Sequence, residues 1–460
     1  MSHASTLGAL RRDGYRSRTI KQELRENLLT ILREGGTAFP GIVGFDDTVL
    51  PQLESALLAG HDLVLLGERG QGKTRLMRTL VTLLDEWMPV VEGCEINDDP
   101  AAPVCSRCLR MAEQLGDELP VAWVHRDHRY VEKLATPDTS VGDLVGDVDP
   151  VKVAEGRTLG DPETVHYGLI PRTNRGIFAI NELPDLAERI QVAMFNVLEE
   201  RDIQVRGYSL RLPLDLLLVA SANPEDYTNR GRIITPLKDR FGAEIRTHYP
   251  IEVAEEVAVI VQEAGLVADV PEHLLEILAR LARSLRDSAS VDQRAGVSAR
   301  FAIAAAEGIA ASALRRAART GEEPAVARVC DVPTVLPTLL GKLEFEMGEE
   351  GREVEVVAHL LRLSIAETFR ERLGGLDLSG FAAVFAEGGT VETGDLVPAG
   401  ELLGQLDAVP GLSKVLDRLG HGDDASVGHV AAAVELVLEG LHLTRRIDKQ
   451  SIDGRTVYGA

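Results

Sequence analysis

His61-Asp62-Leu63-Val64-Leu65-Leu66-Gly67-Glu68-Arg69-Gly70-Gln71-Gly72-Lys73-Thr74-Arg75 decides the fold. The apolar run Leu63 to Leu66 predicts a buried strand, Gly67 to Thr74 fits G-x-x-x-x-G-K-[ST], and Arg75 to Leu84 predicts a helix. Strand, glycine-rich loop and helix in that order form a phosphate-binding loop. Gly67, Gly70 and Gly72 let the backbone curl so that successive N–H groups, including those of Glu68, Arg69 and Gln71, face a triphosphate at a helix N-terminus. Lys73 is placed to reach the β- and γ-phosphates, and the Thr74 hydroxyl to bind the Mg²⁺ that bridges them. The implied ligands are ATP and Mg²⁺.

Upstream, Leu24, Leu28, Leu29 and Leu32 recur at helical spacing in a lead-in segment, residues 1–37, that ends near Gly35-Gly36. Ile42 and Val43 precede an amphipathic helix, Val49 to Leu58, and are candidates to pack on an adenine ring, with plain core packing as the alternative.

Downstream, Gly176-Ile177-Phe178-Ala179-Ile180-Asn181-Glu182 is a second buried strand that ends in polar groups. Such a strand brings a carboxylate beside the γ-phosphate at the carboxyl end of a parallel sheet. Glu182 is the candidate general base for water attack. Asn181 stands where Asp usually holds Mg²⁺; its carbonyl oxygen can bond a metal-bound water but brings no negative charge. A third buried strand, Leu214 to Ala220, leads to Asn223, a candidate to orient the water. Arg240, on a short helix after Thr235-Pro236, is the candidate arginine finger, projecting from one subunit into the next subunit's ATP.

From Ile251 the pattern turns helical: Val253 to Ala264, Pro271 to Asp287 and Ser298 to Thr320 predict a lid over 251–330. Arg300 is the lid residue that would close onto the γ-phosphate, with Arg294 as the second choice. Residues 331–460 predict a mostly helical region, from Glu353 to Leu373 and Ser426 to Leu443, with 444–460 read as a tail. The fold class expected is therefore α/β, a P-loop parallel-sheet core over 38–250 with a helical lid and an extra C-terminal helical region.

Two inserts interrupt the core, near 88–135 and 140–170. The first carries Cys94, Cys105 and Cys108, with His125 and His128 after them. Zinc needs four tetrahedral ligands, and no fourth stands at a standard spacing. Asn97-Asp98-Asp99-Pro100 reads as turn chemistry, so free cysteines in a loop are preferred to zinc. The second insert reads as a surface hairpin, and residues 202–212 as another, turning near Gly207. Its Arg206 and Arg211 face either a pore, a partner or solvent.

Composition narrows the classes. The 460 residues are 45% hydrophobic and 26% charged, enough for two to four domains. Lys and Arg number 49 against 72 Asp and Glu, a net of -23, which disfavours a chain given over to nucleic acid. No apolar run is long enough for a membrane span and no secretory block opens the chain, so the expected location is cytoplasmic. Four cysteines suit a reducing compartment.

GERGQGKT, GIFAINE, SANPEDY and LKDRF, in this order and at these separations, resemble the AAA+ ATPases, and more narrowly the clade of the magnesium chelatase ATPase subunit and the MoxR-type ATPases. Asp143 to Asp149 with Tyr167 to Gly176, and the hairpin 202–212, resemble that clade's inserts. The resemblance covers about residues 38 to 320 and implies ATP binding between subunits of a homo-oligomer, a hexameric ring, and work on a partner, often one bearing a von Willebrand factor A domain. It assigns Lys73 and Thr74 to the phosphate loop, Asn181 and Glu182 to the second strand, Asn223 to the sensor, Arg240 to the finger and Arg300 to the lid. A motor that remodels a partner, or inserts metal into one, is the first reading. A nucleotide-gated scaffold with weak hydrolysis, favoured by Asn181, and a DNA-acting regulator are the alternatives.

Overall fold

The computed structural model describes residues 3–154, 164–200, 203–205, 208–210, 212–224, 233–292, 296–386, 388–406, 409–422, 425–452 and 455–459. Arg206, Gly207, Arg211 and Arg294 lie outside them. The chain forms two compact units, Met1–His248 and Tyr249–Ala460.

The first unit is built on five strands: β1 (Leu63–Leu66), β2 (Tyr130–Leu134), β3 (Gly176–Asn181), β4 (Leu216–Ala222) and β5 (Ala243–Arg246). They lie in the order β5-β1-β4-β3-β2, every pair parallel. β1 and β3 are thus separated by β4, and the tips of all three converge at one carboxyl edge. Alternation along the strands sends Leu63, Leu65, Ile177, Ala179, Leu217 and Val219 to one core and Val64, Leu66, Phe178, Ile180, Leu216 and Leu218 to the other. A parallel sheet covered on both faces needs such uninterrupted apolar strands.

Helices α1 (Leu7–Arg12), α2 (Ile20–Glu34), α3 (Val49–Ala59) and α4 (Lys73–Thr79) precede β2. A Thr19/Gln22 capping box starts α2, and Gly35, at φ 70°, ends it. Leu24 and Leu28 are buried and Leu32 is exposed. The lead-in packs on the sheet: Glu23 takes a two-pronged bond from buried Arg129, at 2.7 and 2.6 Å, just before β2. Helix α4 is shorter than the sequence suggests and continues as a 3-10 turn, Leu80–Leu83. The first insert is shorter than the 88–135 read from the sequence, because 130–134 is β2 of the central sheet; the inserts hold antiparallel pairs, Trp87–Val91 with Val121–His125 and Gly146–Val148 with Val165–Tyr167.

In the second unit, helices Val253–Glu263, Glu272–Arg286, Ala299–Thr320, Glu353–Leu373 and Val427–Leu443 share one apolar core, so the segments 251–330 and 331–460 are not separately cored. Pro271 stands at the N-cap position, so its helix runs from Glu272 rather than from Pro271. Gly440 lets its helix meet Phe369; a Cβ there would stand 2.1 Å from the ring. The chain end is not a tail: Asp448–Ile452 and Arg455–Gly459 pair antiparallel, and the latter pairs with Val391–Thr393.

His273 in this core is 2% exposed, and burial, with His421 and Arg372 nearby, pushes its imidazole down to about 3. The unfolded chain then binds the extra proton between pH 6.5 and about 3, so stability falls as pH falls through that window, by up to about 1.4 kcal/mol per unit. His273→Leu should flatten the dependence of the urea midpoint on pH between 7 and 5; an unchanged slope would assign it to other groups.

Candidate active site

The phosphate loop follows β1 directly. Gly70 and Gly72 have φ of 77° and 74°, a region that excludes most side chains, so they make the curl. Gly67 serves differently: a Cβ on it would lie 1.9 Å from Thr247 Oγ1. That crowding comes from a brace, in which Thr247 Oγ1 and the Glu68 N–H both donate to Gln71 Oε1, at 2.8 and 3.0 Å. Gln71 is buried, whereas Arg69, Gly70 and Gly72 face outward.

Lys73 is 7% exposed and its ammonium donates to the carbonyls of Gly67 and Glu68 and to Asn223 Oδ1, the last two at 2.8 and 2.9 Å. Asn223, at the tip of β4, donates through Nδ2 to Glu182 Oε2 at 3.2 Å. Glu182 follows β3 at φ 55°, a sparsely populated conformation for a residue with a side chain, and its N–H is held by Ser221 Oγ at 3.2 Å. Lysine from the start of α4, and asparagine and glutamate from the ends of β4 and β3, therefore form one bonded row.

Beside it, Thr74 Oγ1 and Ser221 Oγ donate to Asn181 Oδ1 at 3.1 and 3.2 Å. The amide nitrogen of Asn181 donates to Glu132 Oε1 at 2.7 Å. An ionised carboxylate only accepts, so Glu132 orients the amide with its oxygen toward Thr74. Burial raises the Glu132 carboxyl, but the Arg78 fork at 2.8 and 2.9 Å, with Tyr130 and Asn181, brings it below its ordinary value. Glu132 is the residue that sequence reading missed. Its signal was a carboxylate, next to Lys133, inside the short strand 130–134, paired parallel with β3 so that Glu132 lies beside Ala179.

These residues fit a nucleotide and its metal. The loop N–H groups and Lys73 suit the phosphates; Thr74 and Asn181 suit a hydrated Mg²⁺, which would neutralise phosphate charge. Glu132 restores a carboxylate near the position where Asn181 supplies none. Glu132→Gln should raise the Mg²⁺ concentration needed for half-maximal turnover about tenfold, the usual cost of losing an outer-shell partner. A Mg²⁺ titration of turnover that superimposes on wild type would assign Glu132 to Arg78 alone.

The other sequence candidates stand on other elements, Arg300 among them in the second unit. Ile42 is half-buried against the α2–α3 side of the core, and Val43 is half-buried next to it. Arg240 ends the helix Thr235–Arg240, pairs with Glu199 at 2.5 Å and covers the Phe195 ring at 4.9 Å. Arg300 is an exposed residue of the second unit, in the first turn of Ala299–Thr320, whose cap is Ser298.

A five-stranded parallel sheet in this order, with the phosphate loop after β1 and the polar row near the tips of β3 and β4, is the P-loop core of the AAA+ fold class. The sequence is similar to subunits of magnesium chelatase. The ChlI subunit of Nostoc sp. is 29% identical over 244 residues, 51% of this chain and 61% of that protein. The 38 kDa subunit of Acidiphilium rubrum is 29% identical over 345 residues, 72% of this chain and 84% of that protein. The chain spans about 60% of the length of the cyanobacterial relatives it matches. A solved structure of the BchI–BchD complex of magnesium chelatase matches with TM-score 0.38 and 24% identity, covering 69% of this chain and 98% of that one. No family model matches the chain.

Proposed function

We propose that the chain hydrolyses ATP as a ring motor and couples turnover to remodelling of a partner protein or to insertion of a metal ion into one. The observation that supports the reading is the bonded row Lys73, Asn223, Glu182 beside the phosphate loop: a cation for the phosphates, an amide suited to orienting water and a carboxylate suited to accepting its proton. Gly67 to Thr74 hold the triphosphate, Thr74 and Asn181 the hydrated Mg²⁺, and Ile42 and Val43 the adenine. Arg240 enters from the neighbouring subunit, and Arg300 closes from the lid.

The ring is a homo-oligomer, hexameric as the resemblance implies, and its partner a protein with a von Willebrand factor A domain. The relatives' name, magnesium chelatase, supports metal insertion as the work done. The net charge of -23 argues against nucleic acid as the client. No helix among the described residues is long and apolar enough to cross a membrane, in keeping with action in the cytoplasm. The plan proposed is a lead-in over 1–37 packed on a nucleotide core over 38–250, and a lid segment over 251–330 that shares one apolar core with the C-terminal region 331–460.

Asn181 favours a second reading, a nucleotide-gated scaffold that binds ATP and scarcely turns it over. Phosphate release measured with and without Mg²⁺, across a range of chain concentrations, separates the two. Mg²⁺-dependent release that rises with concentration supports the motor; tight ATP binding without release supports the scaffold.

A further inference from the structure

The first insert holds a site outside the nucleotide machinery. We propose that Cys94, Asp98, Cys105 and Cys108 bind one tetrahedral Zn²⁺, with Asp98 as the fourth ligand. One ligand atom from each lies within 4.8 Å of all the others. Tetrahedral zinc with sulfur at 2.3 Å sets its ligand atoms roughly 3.8 Å apart, so a small inward adjustment completes the sphere. A multinuclear iron–sulfur cluster would hold the cysteines further apart, with its own sulfides between them. Three thiolates and a carboxylate select zinc over the hard cations Mg²⁺ and Ca²⁺.

The carboxylate is the independent sign of a ligand. Asp98 is fully buried; its Oδ2 accepts from the N–H groups of Cys105 and Val104 at 2.9 and 3.2 Å, while its Oδ1 is buried with no hydrogen-bond partner. An isolated buried carboxylate oxygen is costly, and a cation removes the cost. This corrects the reading of Asn97-Asp98-Asp99-Pro100 as turn chemistry alone: Asn97 does turn the chain, at φ 53°, but the turn delivers Asp98 to the cysteines.

The sulfurs are also prepared. The Asp98 N–H donates to Cys94 Sγ at 3.4 Å and the Cys108 N–H to Cys105 Sγ at 3.3 Å, bonds that stabilise thiolates. Cys105 caps the helix Ser106–Leu115, and Cys108 sits in its first turn. Arg107 and Lys152 line the adjoining cavity of about 510 Å³ together with Cys94 and Cys105, and offset the surplus negative charge of a Cys₃Asp zinc centre. Uptake replaces the thiol protons, three at most, so proton release accompanies binding.

Its consequence is mechanical. Asn97 Nδ2 donates to the Arg172 carbonyl and Asn174 Nδ2 to the Ile96 carbonyl, both at 3.0 Å, and Arg175 donates to the Pro89 carbonyl at 2.7 Å. The zinc loop thereby braces the turn that feeds β3, the strand ending at Asn181.

The test is metal analysis of the full chain, purified under reducing conditions without added metal or chelator. We expect about one zinc per chain. Cys330→Ser should keep it, and Cys108→Ser should lose it. Asp98→Asn should weaken affinity at least about tenfold. Should the variants misfold, Co²⁺ added to the reduced, metal-stripped wild-type chain gives the second readout: sulfur-to-cobalt charge transfer with d–d bands of tetrahedral intensity. A chain without zinc and without that cobalt spectrum would overturn the proposal, as would Asp98→Asn with unchanged affinity, or a Cys94–Cys105 or Cys105–Cys108 disulfide in the reduced preparation.

Discussion

Glu182→Gln should lower ATP turnover by about 10² to 10⁴-fold, the range for loss of a general base, with nucleotide affinity nearly unchanged. The substitution keeps shape and the hydrogen bond with Asn223, and removes only the ability to take a proton from water. The backbone supports this division. Glu182 is held at φ 55° by the strand before it and by Ser221 Oγ, and a side chain kept in so sparse a conformation marks a site where position matters more than local comfort. Lys73 is bonded to the loop carbonyls and Asn223, so phosphate binding does not pass through residue 182. Single-turnover phosphate release and equilibrium ATP binding measure the two quantities separately. If wild type and variant share a near-zero rate while both bind ATP, Glu182 has no water to activate and the scaffold reading holds.

The phosphate loop was legible because its signal is local: glycines, lysine and threonine lie within eight consecutive residues, and the apolar strands flanking the site alternate toward two cores in a way that buried runs announce. What escaped is non-local. Glu132 acquires its role only because β2 lies beside β3 in the sheet, although 49 residues separate Glu132 from Asn181 along the chain. Asp98 sits in a stretch whose composition favours a turn, and composition does not say toward what a turn points. The strands Asp448–Ile452 and Arg455–Gly459 carry Asp448, Lys449, Gln450 and Arg455, too polar to show the alternation by which strands are recognised. Arg240 was placed on the right short helix, but its pairing with Glu199 depends on a neighbouring helix that the sequence motif does not mention.

Arg240→Ala should abolish the rise of specific ATPase activity with chain concentration and lower the plateau by about 10³ to 10⁵-fold, the range for an arginine finger. In the single chain Arg240 rests on Glu199 and over Phe195, and both members of the ion pair are 38% exposed. A pair so open to solvent holds its arginine by at most about 1 kcal/mol, so exchange of Glu199 for a neighbour's γ-phosphate is readily reached on assembly. Arg240→Lys should not restore activity, because the ammonium lacks the planar fork that spans two phosphate oxygens. Mixing variants decides whose ATP the residue serves. In a mixed ring, a Glu182→Gln subunit still presents Arg240 and an Arg240→Ala subunit still presents Glu182, so half of their contacts rebuild a complete site and turnover returns to a measurable fraction of wild type. If Arg240 acts on its own chain's nucleotide, no mixture contains an intact site and the rate stays at the level of the two variants alone.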